Sequence, residues 1–274
     1  MIRCVSLTIR TGTKMDGFAK SKDDQSVHFR AVGMGEVTLL FVHGWLGNLN
    51  WWNHQREAFA EQYQVVQMDL VGHGKSTKTR QVWSIDSFAQ DVEAVIKHLG
   101  LKNVVLIGHS MSGSIVVRAA NSLPHIVKKI ILVDTLHHVA QMPTMDQVAP
   151  LFAGLKRDYQ GTIANMVPMY MFAKTSPSVV KDRIICEFAA ADANVAISSL
   201  EPFYATPIEE SCRSLRIPVR AIQSDLYPTD PEMNRTYIKD YHLRIIVGVG
   251  HYPMLEAPTE FNSIMSEFLQ STNN

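Results

Sequence analysis

The chain has 274 residues, of which 46% are hydrophobic and 19% are charged. This composition is ordinary for a folded globular protein and too apolar for a disordered chain. Lys and Arg together number 26 and are balanced by 26 Asp and Glu, so the bulk charge favours neither nucleic acid nor an anionic membrane as a partner.

Short β-branched apolar runs alternate along the chain with longer segments of helical period. The runs VVLI, IILV and RIIVG are continuously apolar, which predicts strands buried on both faces of a parallel sheet. The alternation predicts an α/β fold with a mostly parallel, doubly wound sheet and right-handed crossovers. Strands are predicted over 27–32, 37–42, 64–69, 103–108, 128–133, 218–223 and 243–248, and helices over 51–62, 84–99, 112–123, 231–240 and 258–270.

The alternation stops between residues 135 and 207, where apolar residues keep helical spacing with no strand between them. We therefore expect a core domain over 1–134 and 208–274, with a helical lid over 135–207. The lid segment is rich in methionine. These residues either line a pocket or fill the core of a peripheral helical pair, and they are Met142, Met145, Met166, Met169 and Met171.

A predicted strand runs directly into a predicted helix through the small residues GHSMSG at 108–113. Such a corner places the hydroxyl of Ser110 at the carboxyl end of a central strand, on a strained backbone. The start of the following helix adds free N–H groups that favour a developing anion. The pattern marks Ser110 as a candidate nucleophile.

The segment resembles the nucleophile elbow, G-x-S-x-G, of the α/β-hydrolase family, although Ser112 occupies the second glycine position. Two further stretches resemble the same family. FVHGW at 41–45 resembles its oxyanion loop, and GHGKS at 72–76 resembles its GHGxS turn, which we interpret as structural. The resemblance implies that the backbone N–H groups of Trp45 and Met111 face the oxyanion. The GKS sequence does not form a phosphate-binding loop, because Asp69 stands where that motif requires glycine.

A serine nucleophile needs a base and a group that orients the base. His251, in VGVGHYP between the last strand and the final helix, occupies the position of the family's catalytic histidine. Two carboxylates compete for the third role. Asp134 directly follows the run IILV, where some family members carry their acid, whereas Asp225 lies two residues before Tyr227, which takes the more usual acid position. We favour Asp134 and retain Asp225 as the alternative.

The lid and the oxyanion loop together predict a largely apolar pocket. Trp45, Trp51, Trp52 and Phe203 would contribute to it, and His137 and His138 would line it or lie at its rim. The residues predicted to bind substrate are His43, Gly44, Met142, Phe152, Met171 and Phe172.

These features predict a serine hydrolase that cleaves a small-to-medium apolar ester, lactone or related carbonyl compound through an acyl-enzyme. A small-molecule substrate, no cofactor and a monomer or homodimer are expected. Two alternatives stay open on the same fold, because function resides in the site. One is cofactor-free reaction with oxygen, since PTDPE at 228–232 and the late GHYP resemble the quinolone dioxygenases; the other is a ligand-binding receptor with slow turnover.

Cysteine usage and hydropathy predict where the protein is located. Cys4, Cys186 and Cys212 lie far apart without CxxC spacing, which argues against disulfides or a metal site and favours a reducing compartment. No apolar run reaches the roughly 18–20 residues of a membrane span. We expect a cytoplasmic protein whose first 15 residues form an extra edge strand or a loose arm.

Overall fold

The computed structural model describes residues 14–270. Cys4, and nearly all of the N-terminal segment expected to be an edge strand or an arm, lie outside the described residues. The strands of the described part are β1 (Met15–Lys20), β2 (Ser26–Val32), β3 (Thr38–Val42), β4 (Gln64–Met68), β5 (Val104–His109), β6 (Val127–Val133), β7 (Val219–Ser224) and β8 (Tyr241–Ile246).

Within residues 14–270 these strands form one sheet in the order β1-β2-β4-β3-β5-β6-β7-β8. Strand β2 is antiparallel to β1 and β4, and the neighbours from β4 through β8 are parallel. The predicted α/β fold with a mostly parallel sheet is therefore confirmed.

Helices connect the strands and cover the sheet. In the described part, no helix is long and apolar enough to cross a lipid bilayer. The helices are a 3-10 turn (Leu49–Trp52), α1 (Asn53–Phe59), α2 (Ile85–His98), α3 (Ser112–Ser122), α4 (Met145–Arg157), α5 (Tyr159–Tyr170), α6 (Ser178–Ala189), α7 (Ala193–Ala205), α8 (Glu209–Ser214), α9 (Pro231–Tyr237), α10 (Pro253–Glu256) and α11 (Pro258–Gln270).

Local sequence signals explain where the central elements begin and end. Every residue of β5 is buried, as its continuous apolar run predicts for a central parallel strand. Helix α2 begins at a capping box in which the side chains of Ser84 and Ser87 each accept from the other residue's backbone N–H. It is followed by Gly100, whose φ of +63° suits glycine.

The two edges of the sheet differ from the sequence prediction. Strand β1 was not predicted, because only Ala19 in MDGFAK is buried and the segment carries little apolar signal. The prediction that RIIVG is buried on both faces is wrong. Strand β8 pairs with β7 alone at the sheet edge, and Ile245 is 44% and Val247 76% exposed.

Helices α4 to α7 form the segment between β6 and α8 in which the alternation of strands and helices stops. Three of these helices start at a side-chain cap, provided by Thr144, Asp158 and Asp192. Such caps satisfy backbone N–H groups that the helix itself leaves free. Residues of this insertion and of the carboxyl ends of the central strands line a cavity.

Candidate active site

Ser110 occupies a strained corner between β5 and α3. Its φ is +56°, a left-handed conformation that costs energy in a residue with a side chain. The corner is held because the Ser110 N–H donates to the Val133 carbonyl at 3.0 Å, and the Gly113 N–H donates to the Ser110 carbonyl at 2.9 Å. Gly108 makes the approach feasible, since a Cβ there would lie 2.6 Å from the Ser112 carbonyl oxygen.

Ser112, the departure from the glycine pattern, has a specific partner. Its buried hydroxyl donates a hydrogen bond to the carbonyl oxygen of His43. Gly44 then passes so close to the corner that a Cβ on it would lie 2.8 Å from the Ser110 Cβ. Ser112 therefore ties the turn that carries Ser110 to the loop after β3.

His251 links Ser110 to Asp134. The His251 Nε2 lies 2.9 Å from the Ser110 Oγ, and its Nδ1 lies 2.6 Å from the Asp134 Oδ2. Because an ionised carboxylate only accepts, the Nδ1 carries a proton and the Nε2 is left to accept from the serine hydroxyl. This is the arrangement of a nucleophile, a base that accepts its proton and a carboxylate that stabilises the charged base.

Asp134 is completely enclosed, yet it stays ionised. Burial raises the pKa of this carboxyl, but the hydrogen bond and charge of His251 lower it further, to about 2. The Ser224 N–H also donates to the Asp134 Oδ1 at 2.7 Å. Asp225, the alternative acid, is exposed and instead accepts from the Gly248 N–H at 2.8 Å.

His109, directly before Ser110, is hydrogen-bonded to the backbone of the loop that carries His251. Its Nε2 lies 2.7 Å from the His251 carbonyl oxygen and therefore carries the proton and donates. Burial and the nearby His251 lower the pKa of His109 to about 3, so the ring is neutral at neutral pH. We did not predict this role. The alternation of side chains along a strand indicates only that the side chain of residue 109 points to the opposite face of the sheet from that of its neighbour in the strand.

Two free backbone donors stand at the cavity next to Ser110. Trp45 and Met111 both line it, and within residues 14–270 neither of their N–H groups donates to a protein acceptor. Met111 immediately precedes α3, where the helix dipole adds positive potential. These are the donors that the family resemblance implies for an oxyanion.

His43 has a structural position. Its Nε2 accepts from the Leu70 N–H at 3.1 Å, and its Nδ1 donates to the Gly44 carbonyl at 2.7 Å. Burial lowers the pKa of His43, so a neutral ring satisfies both bonds. His43 and Gly44 do not line the cavity; they shape the loop beneath it.

The cavity at Ser110 has a volume of about 1020 Å³ and a mostly apolar wall. Such a volume accommodates a drug-sized ligand. The lining includes Trp45, Met142, Met171, Phe188, Leu200, Phe203, Tyr204, Tyr227 and Tyr252, and along α4 and α5 it includes Gln147, Val148, Leu151, Gly154, Arg157, Asp158, Thr162, Asn165 and Met166.

Six residues were predicted to bind substrate, and the structure divides them. Met142 and Met171 line the cavity, whereas Phe152 and Phe172, like the two loop residues above, do not. Phe152 packs edge-on against Tyr204, and Phe172 lies at 5.4 Å from the ring of Tyr252. Helical spacing alone does not say which side of a helix faces the cavity.

Other aromatic and histidine predictions have mixed outcomes. His137 and His138 line the cavity, while Trp51 and Trp52 are buried behind it. Of the five methionines in the insertion, Met145 alone lies outside the lining. Tyr227, at the usual acid position of the family, donates its hydroxyl to the Tyr170 carbonyl of α5 at 2.8 Å. It thereby joins the strand ends to the insertion.

Comparison with known proteins relates part of this chain to a family. A family model described as "alpha/beta hydrolase fold" matches residues 37–165. The chain is 33% identical over 124 residues to a putative esterase/lipase of Haemophilus influenzae, covering 45% of this chain and 43% of that protein. It is 22% identical to a non-heme haloperoxidase of Rhodococcus erythropolis over 94% of this chain and 99% of the relative.

Among solved structures, an esterase from Exiguobacterium antarcticum superposes with a TM-score of 0.84 at 22% identity, covering 94% of this chain and all of that one (100%). The chain has the α/β-hydrolase fold, and its residues 37–165 match the model of that family. The matched relatives carry the names of an esterase/lipase and a haloperoxidase, which are enzymes.

Proposed function

We propose that the protein is a serine hydrolase that cleaves an ester, lactone or related carbonyl compound through an acyl-enzyme. The observation that carries the proposal is the unbroken chain from Ser110 Oγ to His251 Nε2 at 2.9 Å and from His251 Nδ1 to Asp134 Oδ2 at 2.6 Å. The names of the compared esterases support the same chemistry.

In the first half-reaction, the Ser110 Oγ attacks the substrate carbonyl carbon as His251 Nε2 takes the hydroxyl proton. The carbonyl oxygen becomes an anion, which the N–H groups of Trp45 and Met111 stabilise. Asp134 stabilises the imidazolium without taking its proton. Collapse of the intermediate breaks the bond to the leaving oxygen, which receives the proton from His251.

Water completes the cycle. His251 removes a proton from a water molecule that attacks the acyl-serine carbonyl, and the same two backbone donors hold the new oxyanion. Collapse then releases the carboxylic acid, and the proton on His251 returns to the Ser110 oxygen.

The cavity supports an apolar substrate. Methionines, leucines and aromatic rings line the cavity that contains Ser110 and His251, so burial of alkyl or aryl groups supplies binding energy of about 0.8 kcal/mol per CH₂. We propose that residues 135–207 act as a lid over the strand ends of a core formed by 1–134 and 208–274. Medium-length acyl groups fit the volume better than acetyl alone.

Hydrolysis of a p-nitrophenyl ester series from acetate to decanoate tests the proposal. Wild type is expected to turn over with a preference for medium chains, and Ser110→Ala is expected to lose activity. Ser122→Ala, on the far end of α3, serves as the matched serine control and should retain it.

Equal activity in wild type and Ser110→Ala would overturn the serine mechanism. Oxygen consumption with hydroxyquinolones that persists in Ser110→Ala would point to the oxygen-dependent alternative. Tight retention of a ligand without ester turnover would point to the receptor.

A further inference from the structure

The helical insertion is bonded to the outer side of the oxyanion loop, residues 43–48. The Trp45 indole Nε1 donates to the Ala196 carbonyl of α7 at 2.8 Å. The indole Nε1 of Trp51, in the 3-10 turn that follows, donates to the Glu187 Oε2 of α6 at 2.6 Å. Both indoles are buried, so each bond satisfies a donor that would otherwise be costly.

Glu187 is the centre of this contact. Its Oε2 also accepts from the Asn48 Nδ2 at 3.3 Å, and its Oε1 accepts from the Arg183 Nε at 2.9 Å. The next residue, Phe188, stacks on the Trp51 ring with an interplanar angle of 16°. The carboxylate therefore has several independent partners, and its position is well determined.

The Trp51 ring in turn supports the loop that carries Trp45. Gly47 lies directly against this ring, since a Cβ on it would approach within 2.6 Å of a ring carbon. The Gly47 N–H closes the turn by donating to the Gly44 carbonyl at 3.1 Å. Leu46 inside this turn has a φ of +56°, a conformation that persists only where surrounding contacts impose it.

We propose that Glu187 is a positioning residue for the oxyanion site. By fixing the Trp51 indole and Asn48, it holds the turn in the shape that presents the Trp45 N–H to the substrate oxygen. Glu187 does not line the cavity, so it acts through the loop and not on the substrate. The inference rests on the proposed serine-hydrolase function and makes the insertion part of the catalytic apparatus.

This role makes a specific kinetic prediction. A displaced oxyanion donor weakens binding of the transition state and leaves ground-state binding almost unchanged. We expect Glu187→Ala and Trp51→Phe to lower kcat for p-nitrophenyl butyrate by roughly 10- to 100-fold, since small misplacements near the reacting atoms have effects of this size. KM should change less than about twofold.

The test compares four variants with wild type. Glu187→Gln keeps an oxygen acceptor and should retain most of kcat, whereas Glu187→Ala should not. Asp182→Ala, exposed on the same helix, is the matched control and should behave as wild type. The inhibition constant of a trifluoromethyl ketone, which forms the tetrahedral adduct, should rise with the loss of kcat.

The inference is overturned if kcat of Glu187→Ala equals that of Asp182→Ala, if the loss falls on KM, or if Glu187→Gln is as slow as Glu187→Ala. Thermal unfolding checks the fold of each variant. Should Glu187→Ala unfold early, Trp51→Phe decides, because it keeps the carboxylate and removes both the indole donor and the ring atoms that Gly47 contacts, through which Glu187 is proposed to act. Wild type that hydrolyses no ester overturns the proposed function itself, which is a different result.

Discussion

Three residues of the site have a left-handed backbone conformation or a fully buried polar side chain. Contacts with neighbouring residues stabilise each of them. Ser110 and Asp134 have φ values of +56° and +43°, and Ser112 is buried with its hydroxyl bonded to the His43 carbonyl. Strain of this kind is kept where the surrounding structure over-determines the backbone. The departure from the glycine pattern at 112 thus adds a bond and leaves the corner intact.

The kinetics of two variants test whether Asp134 or Asp225 is the acid that orients the His251 imidazole. Asp134→Asn is expected to lower kcat by about 10⁴-fold, because the amide favours the wrong imidazole tautomer and no longer stabilises its cation. Asp225→Asn removes only the acceptor for the Gly248 N–H and is expected to stay within a few-fold of wild type. Steady-state kinetics with p-nitrophenyl butyrate makes the comparison, and a larger loss in Asp225→Asn would reverse the assignment.

At the scale of elements, the site lies where three strand ends meet the insertion. Ser110 follows β5, Asp134 follows β6 and His251 follows β8, so parallel strands bring residues distant in sequence to one edge. Helices α4 and α5 contribute several residues to the cavity that contains Ser110 and His251. Under the proposed function, their side chains select among acyl groups.

A bulky residue on α4 should shorten the acceptable acyl chain. Leu151 lines the cavity, and Leu151→Trp is expected to lower kcat/KM for p-nitrophenyl decanoate at least tenfold while butyrate changes little, since overpacking excludes only the longer group. Ala153→Trp places the same ring on the exposed side of α4 and is the control. An equal loss for both esters would show that the acyl chain does not extend along α4.

Sequence patterns predicted the central elements and the candidate site residues, and the reasons are physical. The elbow and the apolar run of β5 are local signals, and the chain position of His251 resembles that of the family's catalytic histidine, so Ser110 and His251 could be named as candidates from the sequence. The acid was left open, because loop conformation after β6 and β7 decides whether Asp134 or Asp225 reaches the imidazole. The Glu187–Trp51 contact joins residues 136 apart, and no local pattern signals it.

At the scale of the whole molecule, buried neutral histidines couple stability to pH. Burial, and after it the charge of His43, lower the pKa of His73 to about 3 from 6.5. Between these values the unfolded chain binds a proton at this residue that the folded chain does not. The free energy of unfolding therefore falls as pH falls from 6.5 towards 3.

Replacing His73 should weaken the dependence of the unfolding free energy on pH below about 6.5. In His73→Gln, the amide can still donate to the Val71 carbonyl that accepts from the ring in wild type. The slope of unfolding free energy against pH between 4.5 and 5.5 is expected to be smaller by about 1.4 kcal/mol per pH unit. Urea unfolding across this range measures it, and parallel curves for the two proteins would contradict a neutral buried His73.

The most direct test of the central claim is the site and rate of covalent labelling by a fluorophosphonate. Mass spectrometry is predicted to find the adduct on the Ser110 hydroxyl, with labelling slowed severely in His251→Gln and unchanged in His242→Gln, an exposed histidine of β8. The account would be contradicted by an adduct on another serine, by no adduct at all, or by a labelling rate that is the same in His251→Gln and wild type.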